Sequence, residues 1–438
     1  MSVPPDLGSR SNSSLKLEQK QAYKYLDQAE HCIYEKPAAY TTPPALAADE
    51  ALRDPPIHEA FTTVDIKANI ITRLSDTDPR KIMIIYSETI HPWFSIFSQS
   101  SFCGQHPATW DAASVDFALL CFAIVLLNCA PQQLQGAYTL HSTHRSMYLM
   151  SKTWITLLEG AGWNSIDFVK ARLLITLFEV SHGFNIAAYL SIANAARAAD
   201  ALVVFQRQEV SQSLAEQDRE EYRIIWWGIA ILDRYIATEN GKWPPVTRGR
   251  PIPPDSPIPN PLHLQEHSST AFSRLFEASI LLDNVHTALH QPTSQVSFNI
   301  EEVTMITVLN DPRALILAFD NGSKATCSGA SISSISQATA ALDTLIDDIV
   351  ERVAGLNRGN LEPEESSIPF FVLFLVYKAA AITTGRLQNG IESEANLQRL
   401  KVLRNALIVT AQRWLAGEHY LNLLDEDTAP RILKAVRS

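Results

Sequence analysis

The sequence predicts an all-α fold, an irregular multi-helix bundle, on three observations. Apolar residues recur at the i, i+3, i+4 spacing of an amphipathic helix through most of the chain after residue 57. Runs that alternate apolar and polar residues, which are typical of strands, are nearly absent. No repeat of fixed period is visible, which argues against a regular solenoid. Helices of unequal length packed around a shared core are therefore the expected architecture.

Length, charge and cysteine usage limit the function classes. Of 438 residues, 46% are hydrophobic and 19% are charged, as in a folded protein with a large core. The net charge of -11 argues against gripping nucleic acid through bulk electrostatics, because phosphate contacts need clustered Lys and Arg. Five cysteines without a CxxC pair indicate free thiols in a reducing compartment. The most apolar run, residues 117–130, is shorter than the roughly twenty residues that span a membrane.

Three regions are predicted along the chain. Residues 1–54 begin with Ser, Asn and Pro, and proline returns at 37, 43 and 44, so they read as a flexible arm with one short helix. Residues 55–300 form the main helical domain, in which a helix covers 79–98 after the break at Asp78-Pro79, with a kink or a restart at His91-Pro92. Residues 301–438 form a C-terminal helical extension. It contains an exposed loop near 320–336 and helices at about 337–356, 368–388 and 394–416.

The stretch Tyr222 to Pro251 carries the most information. Its large apolar residues recur at helical spacing and predict one core-facing stripe: Tyr222, Ile225, Trp226, Ile229, Leu232 and Ile236. Asp233 falls on the same stripe. An unpaired buried carboxylate costs several kcal/mol, so a basic partner is expected, and Arg197 and Arg250 are the candidates.

The helix is predicted to end against Gly241, because Pro244 and Pro245 cannot continue it. The chain then leaves as an extended strap through Gly249, Arg250 and Pro251. A helix that fixes a strap is the expected local structure.

These residues carry a resemblance to a known family. WWxxxxLDRYIA (Trp226 to Ala237) followed by GRPIPPDSPIP (Gly249 to Pro259) resembles the central homology region of fungal zinc-cluster transcription regulators. YSETIHPWFSIFSQSSF (Tyr86 to Phe102) is similar to the opening segment of that region. Ser146 to Leu202, with "ARLL…E…HG…AAY…A…RAA", is similar to its middle block. The blocks stand in the family's order over roughly residues 57 to 260.

The resemblance implies that residues 55–300 are the regulatory, or middle homology, domain of a nuclear transcription regulator. Regulators of this kind control secondary-metabolite or other pathway genes. The resemblance assigns a structural or regulatory role to one set of motif residues: Arg197, Trp226, Trp227, Asp233, Arg234, Gly249, Arg250 and Pro251. The six-cysteine zinc module that this family uses to read DNA has no counterpart in the sequence. Direct DNA binding is therefore not expected, and the chain is expected to act through other regulators or co-regulators, among them a complete zinc-cluster family member.

A small effector is a further expected partner, bound in an apolar cavity between the alanine-rich helix at 187–201 and the Trp226/Trp227 helix. The alternative outside transcription is a cytoplasmic sensor that binds such an effector. Neither the fold nor any motif predicts a cofactor.

An enzyme of the terpene-cyclase type is the second alternative. Asp347, Asp348 and Glu351 have the DDxxE spacing that holds magnesium on an all-α fold. A second metal motif is missing, however, and the acids lie opposite the apolar face of their helix, so a solvated acidic face is the expected role. His286 and His290 are four apart, but Thr287 stands where a zinc protease has its Glu, which favours a surface helix.

Overall fold

The computed structural model describes residues 62–74, 77–97, 107, 109–134, 136–209, 216–240, 243–249, 272–280, 282–283, 332–356, 369–388 and 394–437. The described part is mostly helical, as the sequence predicts. The first seven helices and the one hairpin among these residues follow in chain order: α1 Thr63–Leu74, α2 Pro79–Thr89, α3 Val115–Leu127, β1 Gln132–Leu134, β2 Ala137–Thr139, α4 Ser142–Gly160, α5 Ile166–Ser181, α6 Asn185–Glu209 and α7 Glu216–Asn240.

The remaining helices include α8, residues 272–280. They continue as follows: α9 Ile332–Leu356, α10 Phe370–Gln388, α11 Glu394–Ala411, α12 Leu415–Asp427 and α13 Pro430–Arg437. The hairpin pairs β1 and β2 in antiparallel register, with Gln133 opposite Tyr138. It is too short to give the alternating pattern from which strands are predicted.

Local sequence explains where several helices begin and end. Asp78, Ser114 and Ser165 are N-caps whose side chains accept a backbone N–H from the first turn of α2, α3 and α5. Gly183 ends α5 with φ +78°, a left-handed conformation that glycine adopts without a steric penalty. These signals confirm the predicted boundary at Asp78-Pro79 and explain why α5 ends before Gly183.

The core lies around α3 and α5. Nearly every residue of both helices is buried, and α5 packs against α3 on one side and against α6 and α7 on the others. Four alanines of α6 are fully buried, because small side chains allow neighbouring helices to approach closely: Ala188, Ala195, Ala196 and Ala199. Helix α6 therefore packs closely on α5 and α7 through this alanine face.

A cluster of aromatic rings extends the core to the C-terminal helices. Trp93 meets Trp414 edge-on with ring centroids 6.2 Å apart, and Tyr235 of α7 contacts Phe370 and Phe371 of α10 at 5.0 and 5.5 Å. Offset and edge-to-face arrangements of this kind stabilise aromatic pairs beyond the area they bury. Helices from both ends of the described chain therefore share one core.

The predicted helix at 79–98 is wrong in its second half, because α2 ends at Thr89. The buried hydroxyl of Tyr86 donates to the Phe94 carbonyl at 2.8 Å and accepts the Ile96 N–H at 3.1 Å. One phenol thus satisfies two backbone groups of a non-helical segment. Pro92 within that segment cannot donate a helical hydrogen bond.

Two predictions for the C-terminal region also need correction. The exposed loop near 320–336 is wrong in its last part, since residues 332–336 belong to α9; residues 320–331 lie outside the described residues. The helix predicted at 394–416 is two helices, because α11 ends at Ala411 and α12 starts at Leu415. Trp414 in the turn between them is buried among aromatic rings. Helical periodicity does not reveal contacts with rings that are distant in the sequence. The arm at 1–54 lies outside the described residues, and the division at residue 300 stays a prediction.

By length and composition, α10 is the one helix of the described part that could cross a membrane. Most of its apolar residues are instead buried inside the protein, among them Phe370, Phe371 and Leu373. A buried core helix has the same length and composition.

Candidate functional site

Helix α7 presents the predicted stripe to the core. Trp226, Ile229, Leu232 and Ile236 are buried, and Tyr222 is half-buried with its ring 6.4 Å from that of Trp226. The neighbouring Trp227 is also buried and stacks on Phe276 of α8, with ring centroids 4.9 Å apart and planes 12° apart. Trp226 and Trp227 therefore both anchor α7 in the core.

Asp233 is 1% exposed, as its place on the stripe predicts. Its carboxylate accepts the backbone N–H of Thr247 at 2.6 Å, in the strap that follows α7. Burial raises the pKa of Asp233, and the hydrogen bonds from the backbone of Thr247 and Val246 oppose that rise by favouring the charged form. Asp233 thus ties residues 246–247 to the helix from which they come.

One of the two partners predicted for Asp233, Arg197, is wrong, and the other, Arg250, stays a prediction. Arg197 of α6 is exposed to solvent and makes no contact with this carboxylate, and Arg250 lies outside the described residues. The strap is not extended where the structure describes it, because residues 246–249 form a turn. Backbone N–H groups of this turn, together with the charge of Arg234, stabilise the buried carboxylate. Side-chain types alone do not reveal such donors.

Arg234, the next residue, holds the neighbouring segment. Its Nη1 donates to Ser279 Oγ of α8 at 2.8 Å, and its Nε lies 3.9 Å from Asp283. Asp283 also accepts from Arg248 of the strap, at 3.0 Å from Nη2 and 3.2 Å from Nε. Burial lowers the pKa of Arg234, and the charge of Asp283 opposes that change. Arg234 and Arg248 therefore join α7 and the strap to Ser279 and Asp283.

We call Asp233, Arg234, Thr247, Arg248 and Asp283 the strap clamp. The strap ends its described part at Gly249, whose φ of +72° places it in the left-handed region that favours glycine. Pro251, like Arg250, lies outside the described residues.

A second polar group sits near the C-terminal end of α7. Glu239 accepts a hydrogen bond at 2.8 Å from the hydroxyl of Tyr420 in α12, and the Tyr420 hydroxyl lies 3.4 Å from that of Tyr235. Burial raises the pKa of Glu239 to about 7, although the hydrogen bond from Tyr420 opposes the rise. Sequence reasoning missed this contact, because its two partners are 181 residues apart.

A buried ion pair was also missed. Lys170 of α5 is 1% exposed; its Nζ lies 2.8 Å from Glu221 of α7 and 4.1 Å from the centre of the Phe97 ring. A lysine in the middle of the apolar run of α5 was the available signal, because such a residue needs a partner when its helix is buried on every side.

A family model described as "Fungal specific transcription factor domain" matches residues 83–343, more than half of the chain. The chain belongs to this family. No zinc-cluster domain is found in the 438 residues. No curated protein and no solved structure matches the chain significantly. Membership makes the chain a transcriptional regulator rather than an enzyme and implies a nuclear role.

The strap clamp lies inside the matched region of this transcription factor domain. Glu239 is inside it too, whereas its partner Tyr420 lies beyond residue 343. The hydroxyl contact therefore joins the family region to the C-terminal helices.

Of the three acidic residues in the enzyme alternative, Asp347 joins two helices of this transcription factor domain. Arg399 of α11 binds Asp347 through two hydrogen bonds, of 2.7 and 2.6 Å, and Arg386 of α10 pairs with Asp343. Asp348 and Glu351 are exposed. Within the described residues no group of three His, Cys, Asp or Glu is placed to hold a metal ion. His286 and His290 lie outside them.

Proposed function

We propose that this transcription factor domain controls a fungal secondary-metabolite or other pathway gene set through contacts with other proteins, and that a partner reads the DNA. Family membership supports the regulatory part of the proposal. The net charge of -11 supports the indirect route, because a protein that grips phosphates itself needs a surplus of basic side chains.

The strap clamp is the observation that carries the proposal. Asp233 and Arg234, at the centre of the family motif, bond to the strap and to residues 279–283 of the same chain. Side chains that bond to other segments of the same chain hold a surface in place, whereas a catalytic side chain must face a substrate. We therefore assign the motif an architectural role, in which it fixes the body that partners recognise.

The partners we expect are co-regulators and a zinc-cluster family member that supplies the DNA contacts. The small effector between α6 and α7 stays a prediction of the sequence. Its proposed walls, the buried alanines of α6 and the Trp226/Trp227 face of α7, belong to the packed core.

The test compares transcripts of the fungus with and without the gene. We expect a coordinated change in the transcripts of one pathway, restored when the wild-type chain is returned. An Asp347→Asn chain should restore it equally, because Asp347 ties α9 to α11 on the protein surface and performs no chemistry. Unchanged transcripts, or an Asp347→Asn chain that folds and fails, would overturn the proposal.

A further inference from the structure

Side chains bridge α4 and α6 at two points. The Lys152 ammonium of α4 donates to Ser191 of α6 at 2.6 Å, and Asn164, just after α4, donates to the Ala198 carbonyl at 2.9 Å. Residue numbers rise together on both helices, so the two helices run in the same direction. Lys152 also pairs with the buried Glu179 of α5 at 2.9 Å, and Tyr148 of α4 stacks on Phe184, just before α6, with ring centroids 5.2 Å apart. The two helices therefore approach each other near the C-terminal end of α5.

Large apolar side chains are exposed on the surface of these two helices. Leu149 of α4 is 56% exposed, and Ile186 and Leu190, one turn apart on α6, are 68% and 59% exposed. Exposed hydrophobic residues that occur singly are ordinary, but a group on two adjoining helices is typical of an interaction site.

The same surface carries positive charge. Arg145 is one turn before Leu149, and Arg197 is about two turns after Leu190; both are exposed, and neither pairs with a carboxylate of the described part. Glu159, an exposed acid near the end of α4, already pairs with Arg172. A basic apolar surface on a chain of net charge -11 favours a partner of the opposite charge.

We propose that this α4–α6 face, formed by Arg145, Leu149, Ile186, Leu190 and Arg197, binds an acidic amphipathic helix of a partner protein. The apolar stripe of that helix packs on Leu149, Ile186 and Leu190, and its flanking carboxylates meet the two arginines. A two-fold contact between two copies through this face fits less well, because it would bring the arginines of both copies together. The inference rests on the proposed role in protein contacts and names the surface that makes one of them.

The test uses a fluorescein-labelled peptide of about 18 residues, five helical turns, with Leu at i, i+3, i+4 and Asp or Glu elsewhere. Fluorescence anisotropy measures its binding to the full chain. We expect saturable binding that weakens as salt rises, since the arginine contacts are exposed. Binding should weaken about tenfold or more in Leu149→Ser/Leu190→Ser and in Arg145→Glu/Arg197→Glu.

The matched control is Ile84→Ser/Ile408→Ser, which removes two other exposed apolar side chains from α2 and α11 and should leave binding unchanged. A peptide of equal composition without the stripe should not bind. Equal binding by wild type and face variants, or no binding by the wild type, overturns the inference. So does self-association that Leu149→Ser/Leu190→Ser abolishes, which would assign the face to a second copy. Transcript changes in the gene deletion separate these failures from a failure of the proposed function.

Discussion

At the scale of a single residue, Asp233 shows that side-chain types predict burial but not the hydrogen-bond partners of a buried group. Its position among Ile229, Leu232 and Ile236 predicts burial, and burial predicts that the carboxylate needs donors. The donors come from the backbone of the strap, and every non-proline residue has an N–H, so the sequence does not distinguish them. The partners of Arg234 are equally hidden, because Ser279 is 45 residues away.

Replacement of Asp233 tests the strap clamp. Asp233→Ala leaves the Thr247 N–H without its acceptor and should lower the free energy of unfolding by about 2 kcal/mol, measured by urea denaturation. In Asp233→Asn the amide oxygen can still accept that hydrogen bond, so its loss should be clearly smaller. Equal losses in the two variants would show that the carboxylate does not bind the strap through this acceptor.

Glu239 predicts a pH dependence of stability. Its pKa of about 7 in the folded protein exceeds the ordinary value of 4.5, so the folded state holds the proton more tightly. The stability from this group is fully present below pH 4.5 and is lost as pH rises through 7. Glu239→Gln keeps an acceptor for Tyr420 and removes the charge. The stability of this variant should match that of wild type at pH 4.5. At pH 8 the variant should be more stable than wild type by roughly 2 kcal/mol and should unfold at a higher temperature.

The comparison variant is Tyr420→Phe, which removes the donor and retains the charge. Its melting temperature should still fall as pH rises from 5 to 7. If Glu239→Gln followed the wild-type curve across that range, Glu239 would not be the group that titrates.

At the scale of elements, residue spacing predicted the features of a helix that depend on its own sequence, namely its buried face and its ends. The buried run of α3, the end of α5 at Gly183 and the stripe of α7 all follow from residue spacing and caps. Periodicity did not predict the break between α11 and α12. The burial of Trp414 and the close approach at Gly417 depend on neighbouring elements. Trp414 lies within the helix predicted at 394–416, and Gly417 directly follows it.

Gly417 allows a direct test of that close packing. A Cβ at this position would lie 2.8 Å from the Leu407 carbonyl oxygen and 2.9 Å from the Ala411 nitrogen, both backbone atoms. Gly417→Ala must therefore push α11 and α12 apart and should cost about 1–3 kcal/mol of stability.

The matched control is Gly385→Ala in α10, where a Cβ meets nothing within 4 Å. Alanine is the better helix former there, so this variant should gain about 0.5–1 kcal/mol. Chemical denaturation of both variants checks the pair. A harmless Gly417→Ala would contradict the close approach of the two helices.

At the scale of the whole molecule, the all-α class was predictable because helical spacing is repeated in many segments. The arrangement of the helices was not, since it depends on contacts between distant residues such as Trp93 with Trp414 and Glu239 with Tyr420. The family motif could be recognised from the sequence because the tryptophans, Asp233 and Arg234 are close together in the chain. The architectural role proposed for them rests on their partners, which the sequence does not show.

Transcription from a tethered chain tests the central claim most directly. The chain is fused to an unrelated DNA-binding domain and compared with that domain alone on a reporter gene in a fungal cell. A regulator that works through protein contacts should change reporter transcription in either direction, and Asp347→Asn should change it equally. Reporter transcription equal to that of the DNA-binding domain alone, with the fusion intact and present in nuclei, would contradict the claim.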